Sequence, residues 1–159
     1  MTDDFVPYPA TIIVDANTLI SATLTRGITR EMLLTTEDTL YSPAFVRDEI
    51  EKHRATLRDK SGLADSDLDT LFDTLFATIE IFPKNRTTRH HKRAEQAMEG
   101  IDMKDAIYVA AALEVDGAIW SNDPHLHEQT LRPALTTEAM VARVRLAQRK
   151  NEGEQDGED

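Results

Sequence analysis

The sequence contains no cysteine, and this excludes disulfides, iron–sulfur clusters and thiolate zinc sites; any metal must be held by oxygen or imidazole. No apolar run approaches the roughly 20 residues that a membrane helix needs. The acidic opening Met1 to Asp4 has the wrong sign for a secretory signal, so the expected compartment is the cytoplasm. Positive charge is also scarce. Eighteen basic residues, 12 of them Arg and only 6 Lys, stand against 29 acidic ones, for a net charge of −11. Such a surface repels nucleic acid unless a local patch offsets it. Glu152, Glu154, Asp156, Glu158 and Asp159 supply −5 of that charge at the chain end, leaving −6 for residues 1–150. What is present is 159 residues, 40% apolar and 30% charged, which fits one globular domain, expected over 1–148. The rest, 149–159, reads as an acidic, disordered tail. An acidic, lysine-poor composition also suits a protein that works in high salt.

The order of elements suggests an α/β fold. Thr11 to Val14 is a β-branched run, and a strand covered on both faces has that character. Ile28 to Glu37 has helical spacing, and Thr39-Leu40-Tyr41 reads as a second strand. Ser42-Pro43 reads as an N-cap followed by proline at the first helical position, opening a helix through about Arg58. Ser66 to Asp69 reads as a variant capping box, followed by Leu68, Leu71, Phe72, Leu75, Phe76 and Ile79 at helical spacing. Ile79 to Phe82 is a short strand, Thr87 to Glu99 a basic helix stopped at Gly100, and Met103 to Val115 an alanine-rich helix closed by Gly117. Ala118 to Ser121 is another buried strand, and Ala134 to Thr136 with Glu138 to Gln148 gives a last strand and helix. Strands alternating with helices imply a mainly parallel sheet, with no internal repeat.

In such a sheet, ligands bind beyond the carboxyl ends of the strands, where strand order reverses. Two buried strands run into acids there: the first in VDANTLI at Asp15, the fourth in IWSND at Asp123. Asp105, in the first turn after Asp102, and Glu49, on the helix opened at Ser42, can reach the same edge. Four gathered carboxylates repel one another without a counter-charge, and a divalent cation supplies it. Oxygen ligands alone select a hard ion, Mg²⁺ or Mn²⁺, one or two of them, suited to phosphate-ester hydrolysis.

The series VDANTLI, SPAFVRDEIEKH, DMKDAIYVAAAL and AIWSNDPHL resembles the PIN-domain ribonuclease family, in the family's order and spacing, over about residues 11–148. The resemblance assigns the acids of that family's site to Asp15, Glu49, Asp105 and Asp123, with Asp102 as an additional acid. Asn17 and Ser121, with Asn122 of the same triplet, match polar residues that orient the first Asp and the substrate. It implies a five-stranded parallel sheet between helices and Mg²⁺- or Mn²⁺-dependent hydrolysis of single-stranded RNA, leaving 5′-phosphate and 3′-hydroxyl ends. Size and layout are similar to the VapC-like toxins of toxin–antitoxin pairs, which implies a homodimer and a small antitoxin whose Arg blocks the cleft.

Plainer roles stand beside these. Asp102 at an N-cap with Asp105 three residues on can serve backbone N–H groups alone. Glu49 lies among the acids Asp48 and Glu51, although Phe45, Val46 and Ile50 set it near a buried face. The cluster of Lys84, Arg86, Arg89, Lys92 and Arg93, with His90 and His91, is either a solvated helix face or a phosphate track toward the cleft. His125 and His127 fit surface residues or contacts to metal or substrate, and Trp120 and Phe72 fit the core. Among rival functions, a haloacid-dehalogenase-like phosphatase wants an Asp where Asn17 stands. A response-regulator receiver wants a lysine after a late strand, and Lys104 is on the wrong side. An RNA-maturation nuclease shares every motif with the toxin, and an idle PIN scaffold would show a broken acidic set.

Overall fold

The computed structural model describes residues 6–156; the acidic opening at 1–4 and the last three residues of the expected tail lie outside them. Five strands form one sheet in the order β3-β2-β1-β4-β5: β1 (Thr11–Val14), β2 (Thr39–Pro43), β3 (Ile79–Phe82), β4 (Ala118–Trp120) and β5 (Ala134–Leu135). Every pairing is parallel, with Ile13 opposite Tyr41 on one side and Ile119 on the other. The chain builds outward from β1 to β3 and then returns to the opposite side of β1. The switch point is therefore the crevice between β1 and β4.

Helices cover both faces. α1 (Ala16–Leu24) and α2 (Ile28–Thr35) follow β1, α3 (Phe45–Lys52), α4 (Arg54–Ser61) and α5 (Asp65–Phe76) follow β2, and α6 (His91–Met98) and α7 (Ala106–Val115) follow β3. α8 (Pro124–Glu128) follows β4, and α9 (Thr137–Asp156) completes the described chain. α7 packs on β1 and β2, and its small Ala106, Ala110, Ala111 and Ala112 are buried, which brings that helix close to the sheet. Gly117, just before β4, is held to glycine by contact: a Cβ there would stand 2.7 Å from the Thr11 carbonyl oxygen. Trp120 and Phe72 are core residues.

One ion pair is wholly internal. Arg143 on α9 donates to Asp38, at 2.9 Å through Nη2, and to the carbonyls of Val6 and Pro7. The Asp38 side chain has no exposed surface and also accepts the N–H of Ala10. This clasp joins the last helix to the entrances of β1 and β2. Among the described residues no helix is long and apolar enough to cross a membrane.

Several boundaries differ from the sequence reading. Ser42 and Pro43 belong to β2: Ser42 is fully buried and its Oγ donates to the Val14 carbonyl at 2.6 Å, tying β2 to β1 instead of capping a helix. Pro43 is tolerated because it ends the strand. The helix expected through Arg58 breaks at His53 (φ −100°, ψ 7°) into α3 and α4. α5 starts at Asp65 behind Ala64 with no side-chain cap, and Asp65 pairs with Arg58. Single 3₁₀ turns, Thr88–His90 and Met103–Asp105, precede α6 and α7. α9 runs on to Asp156, so the described part of the expected disordered tail is helical. Residues 149–156 contain no proline, and Gly153, costing about 1 kcal/mol in a helix, is their one strong breaker.

Candidate active site

The crevice between β1 and β4 collects the acids. Asp15 leaves β1 and is the N-cap of α1, a helix that the sequence reading did not predict. It is 2% exposed and almost fully engaged: Oδ1 accepts Thr18 N–H at 2.9 Å and Thr18 Oγ1 at 2.6 Å, and Oδ2 accepts the Ser121 hydroxyl. Burial pushes its carboxyl above the ordinary range; the hydroxyls of Ser121 and Thr18 and the Thr18 N–H oppose that rise, and the charge of Asp123 adds to it. Asp123 leaves β4 and is the N-cap of α8, with Pro124 at the first helical position; its Oδ1 accepts His125 N–H at 3.0 Å. Ser121 Oγ also accepts the Asp123 N–H at 3.0 Å. One hydroxyl thus fixes both strand-end acids.

Asp102 and Asp105 come from the turn before α7. Asp102 accepts Lys104 N–H at 3.1 Å, so its capping role is real, and it also faces the cleft, where its Oδ2 lies 3.4 Å from His125 Nδ1. Asp105 is different in kind. Its Oδ2 is buried and has no hydrogen-bond partner among the described residues. Burial pushes its carboxyl up to about 6, and the charges of Asp123, Asp102 and Asp15 push in the same direction. A buried carboxylate oxygen left without a donor, beside three other acids, is the arrangement that a bound cation would relieve.

Glu49 stands on α3, half-buried, with Oε1 3.0 Å from Lys52 Nζ. Tyr108, which the sequence reading overlooked, reaches the end of β1 from α7. Tyr108 is buried on α7, and its hydroxyl accepts the N–H of Ala16 at 3.1 Å, beside Asp15. Burial raises its phenol above the ordinary range, and the charges of Asp15, Asp105 and Glu49 add to the effect, so the hydroxyl stays protonated. Tyr108 lies three residues after Asp105, and that one-turn spacing was the available signal. Thr18, three residues after Asp15, carried the corresponding N-cap signal.

The remaining candidates are placed less uniformly. Asn17 is exposed and, with Thr18, Ser21, Asn122, Asp123 and Pro124, lines a cleft of about 310 Å³ beside Asp15. The amide of Asn122 is already engaged: Oδ1 accepts Thr137 N–H at 2.9 Å and Nδ2 donates to Thr137 Oγ1 at 3.1 Å, anchoring the start of α9. Each end of the amide keeps one further hydrogen-bonding site. His127 donates to the Ser121 carbonyl at 2.7 Å and braces the β4 end.

The basic cluster divides in two. Arg86 and Arg89 converge with His90 on Glu114, at 3.4, 2.7 and 3.2 Å, and Arg86 also lies over the Phe82 ring, 4.4 Å from its centroid. Those two arginines pin the basic segment to α7 while their side chains stay 45% and 71% exposed. Lys92 and Arg93 are exposed and carry no ion pair among the described residues.

A family model described as PIN domain matches residues 13–144. No curated protein matches the sequence. Among solved structures, the fold is shared with VapBC2 from Rickettsia felis bound to a DNA fragment from its promoter. That match is 12% identical, with a TM-score of 0.62, and covers 79% of this chain and 98% of the other. A toxin–antitoxin complex from Klebsiella pneumoniae is 15% identical, with a TM-score of 0.52 over 70% of this chain and 86% of the other.

Proposed function

The chain belongs to the PIN-domain family, a family of nucleases, and on that premise we propose that it is a metal-dependent endoribonuclease cutting single-stranded RNA in the β1–β4 crevice. The observation that carries this reading is the buried, unpartnered Oδ2 of Asp105 among Asp15, Asp102 and Asp123. These residues suit a divalent cation: Asp15, Asp102, Asp105 and Asp123 would hold it, with Glu49 at the margin. When bound, Mg²⁺ or Mn²⁺ supplies the positive charge that offsets the scissile phosphate and makes water acidic enough to attack it.

The chain's own residues do the rest. Ser121 and Thr18 hold the Asp15 carboxylate in one orientation, so no reorganisation is needed when substrate arrives. Glu49, steadied by Lys52, is assigned as acceptor of the proton that the attacking water loses. The water oxygen bonds to phosphorus, the P–O3′ bond breaks, and O3′ takes up a proton, giving 5′-phosphate and 3′-hydroxyl ends. Exposed Lys92 and Arg93 are the groups free to meet the RNA backbone, and Asn17 lies at the mouth of the cleft.

The two solved structures described above are toxin–antitoxin assemblies, and this supports the further reading of a toxin that dimerises and is silenced by a small antitoxin. An RNA-maturation enzyme would use the same chemistry. The deciding experiment incubates mixed single-stranded RNA with native protein and Asp105→Asn in Mn²⁺, Mg²⁺ or EDTA. Metal-dependent cutting that is lost in the variant supports the assignment. A folded native protein that leaves RNA intact under all conditions would sink it.

A further inference from the structure

Asp102, Asp105 and His125 each offer one ligand atom, and those atoms all lie within 4.8 Å of one another. An imidazole nitrogen thus shares the space of two of the acids that the sequence reading assigned to the metal. Resting on the reading of this crevice as a divalent-cation site, we propose that His125 Nδ1 is a direct ligand of the ion and that the mixed nitrogen and oxygen set selects Mn²⁺ over Mg²⁺.

Three features argue for this role. First, the imidazole is aimed at the acids: Nδ1 is 3.4 Å from Asp102 Oδ2 and 3.6 Å from Asp123 Oδ1. Second, its backbone is fixed there independently of any ion. Asp123 accepts the His125 N–H, and Asp102 is likewise fixed by Lys104 N–H, so both ligands start from capped turns facing each other across the cleft. Third, an ion pair between His125 and Asp102 does nothing for Asp105, whose Oδ2 stays buried and unpartnered. A cation shared by all three brings positive charge to the Asp105 carboxylate as well.

The selectivity follows from ligand chemistry. Mg²⁺ demands oxygen in near-ideal octahedral geometry and sheds water reluctantly, whereas transition ions accept imidazole readily.

The test uses the full chain without RNA. Mn²⁺ binding is titrated by electron paramagnetic resonance, Mg²⁺ is measured by competition, and spin-echo modulation reports any ¹⁴N bonded to the ion. The expected result is a nitrogen signature in the native protein. It disappears in His125→Ala, where Mn²⁺ affinity falls by at least about tenfold while Mg²⁺ affinity is unchanged. The side chain is 49% exposed and its capping contact is through backbone N–H, so the variant keeps its fold. His125→Asn, which has an amide where the imidazole stood, serves as the second variant and is expected to lose the signature too. Mn²⁺ bound without a nitrogen signature, or equal losses for both metals in His125→Ala, overturns the role of His125 and leaves the cation site standing. Failure of the native chain to bind Mn²⁺ at all overturns the cation reading with it.

Discussion

Ser121 Oγ, 106 residues from Asp15 in sequence, donates to Asp15 Oδ2 and accepts the N–H of Asp123, so one hydroxyl is shared at the end of adjacent strands. Ser121→Ala removes a donor from a carboxylate that is 2% exposed. The expected loss is about 1–3 kcal/mol of stability, read from urea unfolding of the metal-free protein. A change within a few tenths of a kcal/mol would mean that the Thr18 contacts alone satisfy Asp15.

Asp105→Asn has the opposite sign. It removes a charge from a crowded, half-buried position whose Oδ2 has no donor, so the metal-free variant is expected to be at least as stable as the native chain at neutral pH. Mn²⁺ should raise the melting temperature of the native protein by mass action and leave the variant unmoved. Equal Mn²⁺ protection of both proteins would remove Asp105 from the ligand set.

The raised carboxyl of Asp105 also sets a pH dependence. Its folded value, about 6, lies above the ordinary 3.8, so between these the folded state holds more protons than the unfolded one. Stability from this group is fully present below pH 3.8 and is lost as pH rises through about 6. Burial raises Asp15 in the same direction. In EDTA, unfolding curves from pH 4.5 to 7.5 should show stability falling with pH, with a shallower slope in Asp105→Asn. Identical slopes would show that Asp105 ionises normally.

How far the sequence carried these points depended on whether the signal was local. Asp15 and Asp123 were legible because a buried apolar run that stops at an acid is costly unless the acid is placed for use. α5 was legible for the same kind of reason, with Leu68, Phe72 and Leu75 recurring on one buried face. Ser42-Pro43 misled because its local chemistry fits a helix start, while its hydroxyl is taken by Val14 across the sheet. Tertiary contact decided it. Arg86 and Arg89 looked free for the same reason: Glu114, their partner, lies 25 or more residues away. The unpartnered oxygen of Asp105 and the reach of His125 toward Asp102 are relations between separate turns, and no spacing rule contains them.

The two halves of the basic cluster should behave differently toward RNA. Lys92→Gln and Arg93→Gln are each expected to lower the slope of log affinity against log salt by about one, as for a lost phosphate contact. Arg89→Gln should leave the slope unchanged, since its guanidinium is occupied by Glu114. Filter binding in EDTA, where no RNA is cut, checks both. A loss of slope on the Arg89 change alone would reverse the assignment.

Arg143→Met leaves the carboxylate of Asp38 buried with no cation beside it. Breaking a buried pair from one side costs about 3–5 kcal/mol. The double variant Arg143→Met with Asp38→Asn should recover part of that loss, which a denaturant series on the two proteins would register. No recovery would show that the bonds from Arg143 to the Val6 and Pro7 carbonyls carry the clasp.

Because all five strands are parallel, the molecule has two poles. The acids stand at the pole where strands end. At the other, where strands begin, Arg132 binds the Gly117 carbonyl and the Asp116 carboxylate, and Gly117 leaves no room for a side chain against Thr11. Changes at the two poles share no partners, so their energetic effects should add. Robustness can therefore be bred into the entry pole, or eroded there, without retuning the chemistry at the exit pole. The β1–β4 crevice can in turn drift toward a new substrate without undoing the contacts that hold the entry pole together.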